Sequence, residues 1–340
     1  MAEYNTRVII IDPMLPDHTA IREAATLIRS GKLVAFPTET VYGLGGDGLN
    51  PTSLRRIYTA KGRPADNPLI LHVANQAQLA SVAAEVSDIA RTLMRAFWPG
   101  PLTLILPKTT QVPDLATGGL ATVAVRMPDH PVALALIQQA GTPLAAPSAN
   151  RSGRPSPTTA QHVLDDLDGA LALVLDTGPT AIGVESTVLD TTCTPPVILR
   201  PGGLSQTTIE AVIGPLGKSP DAASQRRSPG MRYRHYSPKA RVLLLADTRP
   251  ETLQRTVAAA RSHHRVGCVL HQLVPVEVPS GVMIKRIGGS VSDYAHGLFA
   301  ALRDLDALGV EVIIVEGVAE EGLGAAVMDR LRRAASPLEA

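Results

Sequence analysis

The residues that could do chemistry in this chain collect where polar groups break apolar runs. Phe36-Pro37-Thr38-Glu39-Thr40-Val41-Tyr42-Gly43-Leu44 brings two hydroxyls, a carboxylate and a phenol together directly after a strand-like stretch. Ligands of open α/β sheets sit beyond the carboxyl ends of strands, so this loop is placed to hold a small polar molecule, with Thr40 as a hydrogen-bonding group. A capped turn whose threonines satisfy their own backbone fits the same spacing. A second cluster, Lys61-Gly62-Arg63-Pro64-Ala65-Asp66-Asn67-Pro68, sets two cations where a helical pattern ends in a loop stiffened by prolines. A planar arginine fork and a lysine point charge on a rigid loop suit polyphosphate oxygens. The helix macrodipole alone also favours cations there, and as an exposed clamp cation Lys61 is expected to contribute little to stability.

Leu69-Ile70-Leu71-His72-Val73 follows, and a period of two sets Ile70 and His72 on one face with the three other residues opposite. A histidine on an apolar strand is commonly a hydrogen-bonded core residue; the nearby cationic loop is what makes a functional role plausible here. Further strand ends carry polar groups: Arg126 after Val123-Ala124-Val125, Ser148 and Asn150 after Ala145-Ala146-Pro147, Ser186 after Glu185, and Arg200 before Pro201-Gly202-Gly203. Their number suggests groups converging above one sheet edge. Gly217-Lys218-Ser219 imitates the end of a P-loop, but Val212 replaces the required first glycine and Pro220 follows where a helix should open. No serine-elbow, zinc-protease or dinucleotide fingerprint occurs, and no Cys/His spacing suits a metal.

Elements must position these groups. Apolar strand-like runs at 33–36, 69–73, 122–126, 171–175 and 186–190 alternate with helical patterns at 17–30 and 51–61, the rhythm of an α/β domain over about 7–203. Asn50 is a candidate N-cap and Pro51 suits the first helical position. The pattern breaks between 204 and 240. From Lys218 to Arg241 there are seven basic residues (Lys218, Arg226, Arg227, Arg232, Arg234, Lys239 and Arg241) against one acid, Asp221, with Pro220, Pro229 and Pro238 among them. This composition fits an extended linker whose cations lie over something negative, or a solvated connector. A second rhythm follows: strands at 241–246, 266–270, 282–286 and 310–315, and helices at 250–263, 292–308 and 323–334, a compact parallel unit. The organisation expected is therefore 1–203, a linker at 204–240, and 241–340.

Composition narrows the classes. The 340 residues are 45% hydrophobic but only 3% aromatic, with 28 Gly and 28 Pro, so the core is aliphatic and the chain rich in turns. No stretch approaches the roughly 18 apolar residues of a membrane span. The N-terminus lacks a basic leader, so a cytoplasmic protein is expected. Cys193 and Cys268, the only cysteines, cannot build a disulfide framework or a cysteine-based zinc site. With 32 basic and 31 acidic side chains, the net charge of +1 gives no global footprint for nucleic acid. Anionic ligands must be held by local clusters.

The first two motifs together with Trp98-Pro99-Gly100-Pro101-Leu102-Thr103 and Pro147-Ser148-Ala149-Asn150, in this order, resemble the YrdC-like family of threonylcarbamoyl-AMP synthases. Ser228-Pro229-Gly230-Met231-Arg232-Tyr233-Arg234-His235-Tyr236-Ser237-Pro238, Glu321-Gly322-Leu323-Gly324 and Met328-Asp329-Arg330-Leu331 look like its long, two-domain branch. The resemblance implies a twisted open mixed sheet with flanking helices and a smaller Rossmann-like parallel α/β domain. It also implies formation of L-threonylcarbamoyladenylate and diphosphate from L-threonine, bicarbonate or CO2, and ATP with Mg²⁺, the product passing to a separate threonylcarbamoyl transferase complex that modifies tRNA. Thr40, His72, Arg126, Ala146 (through its backbone) and Ser186 would surround threonine. Lys61, Arg63, Asn67, Thr122, Ser148, Asn150, Ser156 and Arg200 would surround the nucleotide, with His235 and Tyr236 closing over it. Lys61 and Arg63 would neutralise charge developing on the phosphates. Two alternatives stand beside this: a non-catalytic double-stranded RNA or tRNA-binding module, with any tRNA contact weak, and carbamoyl transfer in hydrogenase maturation, whose zinc-finger segments two cysteines cannot supply.

Overall fold

A computed structural model describes residues 4–218, 227–228, 230, 235–245, 247–275 and 279–335. The linker residues Pro220, Asp221, Arg226, Pro229, Met231, Arg232, Tyr233 and Arg234 lie outside them. The first unit runs β1 (Arg7–Ile10), α1 (His18–Arg29), β2 (Val34–Phe36), β3 (Gly43–Asp47), α2 (Pro51–Lys61), β4 (Ile70–His72), α3 (Gln76–Val82), α4 (Asp88–Phe97), β5 (Leu102–Pro107), α5 (Asp114–Thr117), β6 (Thr122–Arg126), α6 (Pro131–Ala140), β7 (Leu144–Ala145), α7 (Ala160–Leu167), β8 (Leu173–Asp176), β9 (Thr187–Asp190), β10 (Val197–Arg200) and α8 (Gln206–Ile213). Its strands form one mixed sheet in the order β1-β8-β2-β3-β7-β4-β6-β5-β9-β10.

Local chemistry explains the elements that the sequence makes visible. The Asn50 side chain accepts from Thr52 N, Pro51 occupies the first turn of α2, and Gly62 ends it in the left-handed region at φ 60. Asp17 caps α1 through Thr19 N. Strand β3 departs from the expected pattern, because Gly43-Leu44-Gly45-Gly46-Asp47 lacks the branched residues that mark strands. Its glycines are needed for close approach: a Cβ on Gly45 would lie 2.7 Å from the Phe36 ring, and one on Gly48, just past the strand, 2.8 Å from the Pro143 carbonyl oxygen.

The stretch expected as an extended linker opens instead with α8, capped by Ser205 and burying Ile209 in the first core. Beyond it lie β11 (Arg241–Leu245), α9 (Pro250–Arg261), β12 (Val266–Leu270), β13 (Met283–Arg286), α10 (Val291–Ala307), β14 (Val312–Glu316) and α11 (Gly324–Ala334), each close to its expected bounds. These strands form an all-parallel sheet in the order β11-β14-β12-β13. The two units share a core: Val41, Val184 and Tyr236 pack with Tyr294, Leu298, Phe299, Val327 and Leu331. Helix α10 also presses directly on the loop before β9, where a Cβ on Gly183 would meet His296 Cα at 2.5 Å.

Candidate active site

Strand β4 shows how the site arises. Leu69, Leu71 and Val73 enter the main apolar core, whereas Ile70 and His72 face a cleft with about 590 Å³ of empty space. Arg126, at the end of the parallel neighbour β6, reaches the same cleft. Antiparallel pairing of β9 with β10 then brings Arg200 beside Ser186: its Nε donates to the Ser186 carbonyl at 3.2 Å, and Nη2 donates to that carbonyl at 2.9 Å and to Ser186 Oγ at 3.2 Å. The groups thus gather over a face of a mixed sheet, with Ser186 entering from an amino end, instead of above one edge of carboxyl ends.

Thr40, Arg63, His72, Arg126, Ala146, Ser148, Ser186, Arg200, His235 and Tyr236 all line the cleft. Four expected nucleotide residues stand behind that lining. Lys61 is buried, and its Nζ donates to the carbonyls of Ser148 and Asn150 at 2.5 Å each. The exposed clamp expected from sequence is therefore an internal brace of the 148–150 turn. Burial, with Arg63 adding to it, holds the Lys61 ammonium well below the usual lysine range. Asn67 Oδ1 accepts from Arg63 Nη2 at 2.7 Å and from Gly230 N at 3.0 Å, tying the cationic loop to the segment before His235. Asn150 Oδ1 accepts from Ser148 Oγ at 2.6 Å, and Ser156 Oγ donates to Glu185 Oε1 at 2.5 Å. Thr122 opens β6, so it shares the Arg126 face but lies roughly 13 Å along the strand, outside the lining.

Electrostatics divides the cleft in two. On one side Arg126 donates through Nη1 to Thr40 Oγ1 at 2.9 Å, lies 2.5 Å from Glu39 Oε1, and is held by the Gly100 carbonyl through Nε at 3.1 Å. His72 beside it is pushed down to about 3 by burial and by Arg126, so it is neutral at physiological pH. On the other side Arg63, lowered to about 10 chiefly by burial, is fixed by Asn67 and by the Pro68 carbonyl. Arg200 is lowered for the same reason, and His235 is pushed down to about 3 by burial, Arg63 and Lys61. Tyr236 closes this end at φ 66, the one described non-glycine residue in the left-handed region. Its ring stacks on Phe299 with centroids 5.5 Å apart, and the Arg330 guanidinium lies 5.2 Å from its centroid.

Sequence reasoning passes over Glu39, Thr103, Glu185 and Arg330. The first three stand inside or beside quoted motifs, which is their signal; Thr103 Oγ1 lies 2.8 Å from Ser186 Oγ. Arg330 has only a motif with no assigned role.

Residues 26–202 match the family described as telomere recombination, and residues 204–336 match the threonylcarbamoyl-AMP synthase C-terminal domain. A threonylcarbamoyl-AMP synthase of Pyrococcus abyssi is 50% identical over 325 residues, covering 92% of this chain and 93% of the relative. The chain belongs to the threonylcarbamoyl-AMP synthase family. Its Bacillus subtilis member is 47% identical over 334 residues, covering 96% of both chains. A crystal structure of the Pyrococcus abyssi protein complexed with L-threonine superposes with a TM-score of 0.88 at 47% identity, covering 97% of each chain. Matches over both units assign this chain to the long form of the family.

Proposed function

We propose that the chain forms L-threonylcarbamoyladenylate, with threonine held on the Arg126 side of the cleft and ATP on the Arg63 and Arg200 side. The observation that carries this is the division itself: one cleft presents Arg126 with Thr40 at one end and Arg63 and Arg200 with His235 and Tyr236 at the other, and Ser186, bonded to Arg200, stands where the two meet. Arg126 offers a fork for the amino-acid carboxylate, in place of its contacts with Thr40 and Glu39, and the hydroxyls of Ser186 or Thr40 meet the threonine hydroxyl. The threonine amine adds to CO2, or to bicarbonate with loss of water, and gives up a proton to become a carbamate. A carbamate oxygen then attacks the α-phosphorus of ATP in line, and the bond to the bridging oxygen breaks to release diphosphate. Positioning and charge neutralisation suffice, without a covalent enzyme intermediate.

Among the described residues no cluster of three or more His, Cys, Asp or Glu is placed to hold a metal. The Mg²⁺ expected with ATP would be held by phosphate oxygens and water, which suit its octahedral geometry. No described helix is long and apolar enough to cross a membrane; we place the reaction in the reducing cytoplasm, in keeping with two free cysteines. The product is a mixed anhydride that a separate transferase complex would consume in modifying tRNA. The RNA-binding alternative is the less favoured reading: the synthases that this chain resembles match along nearly its whole length, Lys61 and Arg63 are buried against main-chain carbonyls, and among the described linker cations Arg227 donates to Asp190 at 2.9 Å. Incubation with ATP, Mg²⁺ and bicarbonate should release diphosphate only when L-threonine is present. Release indifferent to threonine would overturn the proposal.

A further inference from the structure

Glu185 is the one acidic side chain among the described residues that line the cleft, and it stands beside Arg200 and Ser186 where a triphosphate would add further negative charge. An uncompensated carboxylate there would repel the nucleotide. Its compensation comes from the second unit. Arg330, fully buried on α11, donates through Nε to Glu185 Oε2 at 2.7 Å, and through Nη1 to the Pro201 carbonyl at 3.0 Å and to Asp329 Oδ2 at 2.6 Å. Ser156 Oγ caps the other carboxylate oxygen. Burial would raise the Glu185 carboxyl, but Arg330 and Arg200 outweigh it and hold the group below the usual range. The same guanidinium supports the Tyr236 ring.

We propose that Arg330 is a positioning residue of the nucleotide half of the cleft, neutralising Glu185 from behind and fixing Tyr236, so that the second unit completes the site. A second contact points the same way. Helix α10 abuts Gly183, and the Ala181 carbonyl lies 3.0 Å from His296 Nδ1. Ile182 N and Gly183 N of that loop donate to the Glu39 and Thr40 carbonyls. The second unit thereby braces the threonine loop as well, but its charge acts only at the nucleotide end.

The inference rests on the proposed placement of ATP, and its test reads ATP binding directly by calorimetry, beside turnover, on the full chain. Arg330→Met should weaken ATP binding about tenfold or more, with a much smaller change in L-threonine affinity, because it strips the Glu185 carboxylate of its hydrogen-bonded cation. Adding Glu185→Gln to Arg330→Met should recover most of that loss, since the double variant no longer sets the Glu185 charge beside the nucleotide, while Asp329 keeps its pair with Arg333. Arg330→Lys, which keeps the charge, should stay within a few-fold of the parent and serves if the methionine variant does not fold. ATP affinity unchanged in folded Arg330→Met, equal losses for ATP and threonine, or a double variant no better than the single one would overturn the role. If Arg330→Met does not fold, a tenfold or greater loss of ATP affinity in folded Arg330→Lys, which keeps the charge, would do the same. A parent chain that binds ATP but releases no diphosphate with threonine would defeat the proposed reaction and leave the Arg330 comparison readable.

Discussion

Two regions of this molecule gather polar groups at strand ends and end up opposite in character. In the first unit, Arg63, Arg126 and Arg200 surround an open cleft; Arg126 lies 2.5 Å from Glu39, whereas Arg63 is held by the neutral oxygens of Asn67 and Pro68. In the second, β12 ends in three successive backbone N–H groups that all point at one anion, and the chain supplies it. Glu316, the last residue of β14, accepts from His271 N at 2.7 Å, from Gln272 N at 3.1 Å and from Leu273 N at 3.0 Å. A parallel α/β sheet normally offers this place to a ligand. Here a buried carboxylate already fills the nest, and the contacts of the second unit with the residues around the cleft run through α10 and α11. Oriented donors can bind the fold or be left facing a cleft: the three N–H groups at the end of β12 are closed by Glu316, while the guanidinium groups of the first unit line open space.

The comparison can be broken at either region. The largest effect is expected at the open one: Arg63→Ala should lower kcat/KM by roughly a hundredfold to a thousandfold, as for other donors aimed at developing phosphate charge, in a threonine-dependent diphosphate assay. A loss under threefold would show that this cation is not aimed at substrate. Next, Glu316→Leu should destabilise the fold by about 3 kcal/mol in urea unfolding, because three buried N–H groups lose their acceptor. An unchanged midpoint would mean the nest does not need its anion.

A third effect belongs to the cleft and the helix beside it. His72 and His235 are held near 3 and His162 near 4, all primarily by burial; Arg126 adds to this at His72, Arg63, Lys61 and Arg200 at His235, and Arg303 at His162. Because the folded values lie below the unfolded value, the stabilisation is complete above about pH 6.5 and is lost as pH falls towards 3. By pH 5 each histidine should cost about 2 kcal/mol of stability. The double variant His72→Asn with His235→Asn should flatten most of that decline in denaturation measured from pH 7 to 5, and an unaltered slope would place the protons elsewhere. Lys61→Ala comes next: it should lower stability by about 2 kcal/mol as well as activity, since two carbonyls lose their donor. The smallest effect belongs to the second unit's surface, where Asp247→Asn, though paired with Arg249 at 2.6 Å, should leave the Tm unchanged.

Much of this fold is legible in the order of its residues. Helices α1 and α2 announce themselves through Asp17, Asn50, Pro51 and Gly62, whose capping chemistry is local. The alternation along β4 already separates His72 from the leucines, and the second unit's regular apolar rhythm marks out its elements. Thr40, His72, Arg126, Ala146 and Ser186 each stand in or at the end of a short stretch that the sequence makes visible, though it does not show that they meet. Strand β3 escapes because its glycines answer to close neighbours, not to strand propensity. Helix α8 escapes because it is short and buries a single residue, Ile209, so no helical period of apolar positions shows in its sequence.

The sequence by itself determined the types of group available and the local caps and faces that aim them, because these depend on residues a few positions apart. Tertiary structure alone decided that Lys61 braces a turn 87 residues away, that Ser186 meets Arg200, and that Arg330 neutralises Glu185 across 145 residues. Charge and burial act through space, and only the folded chain sets which charges become neighbours and how little water remains between them.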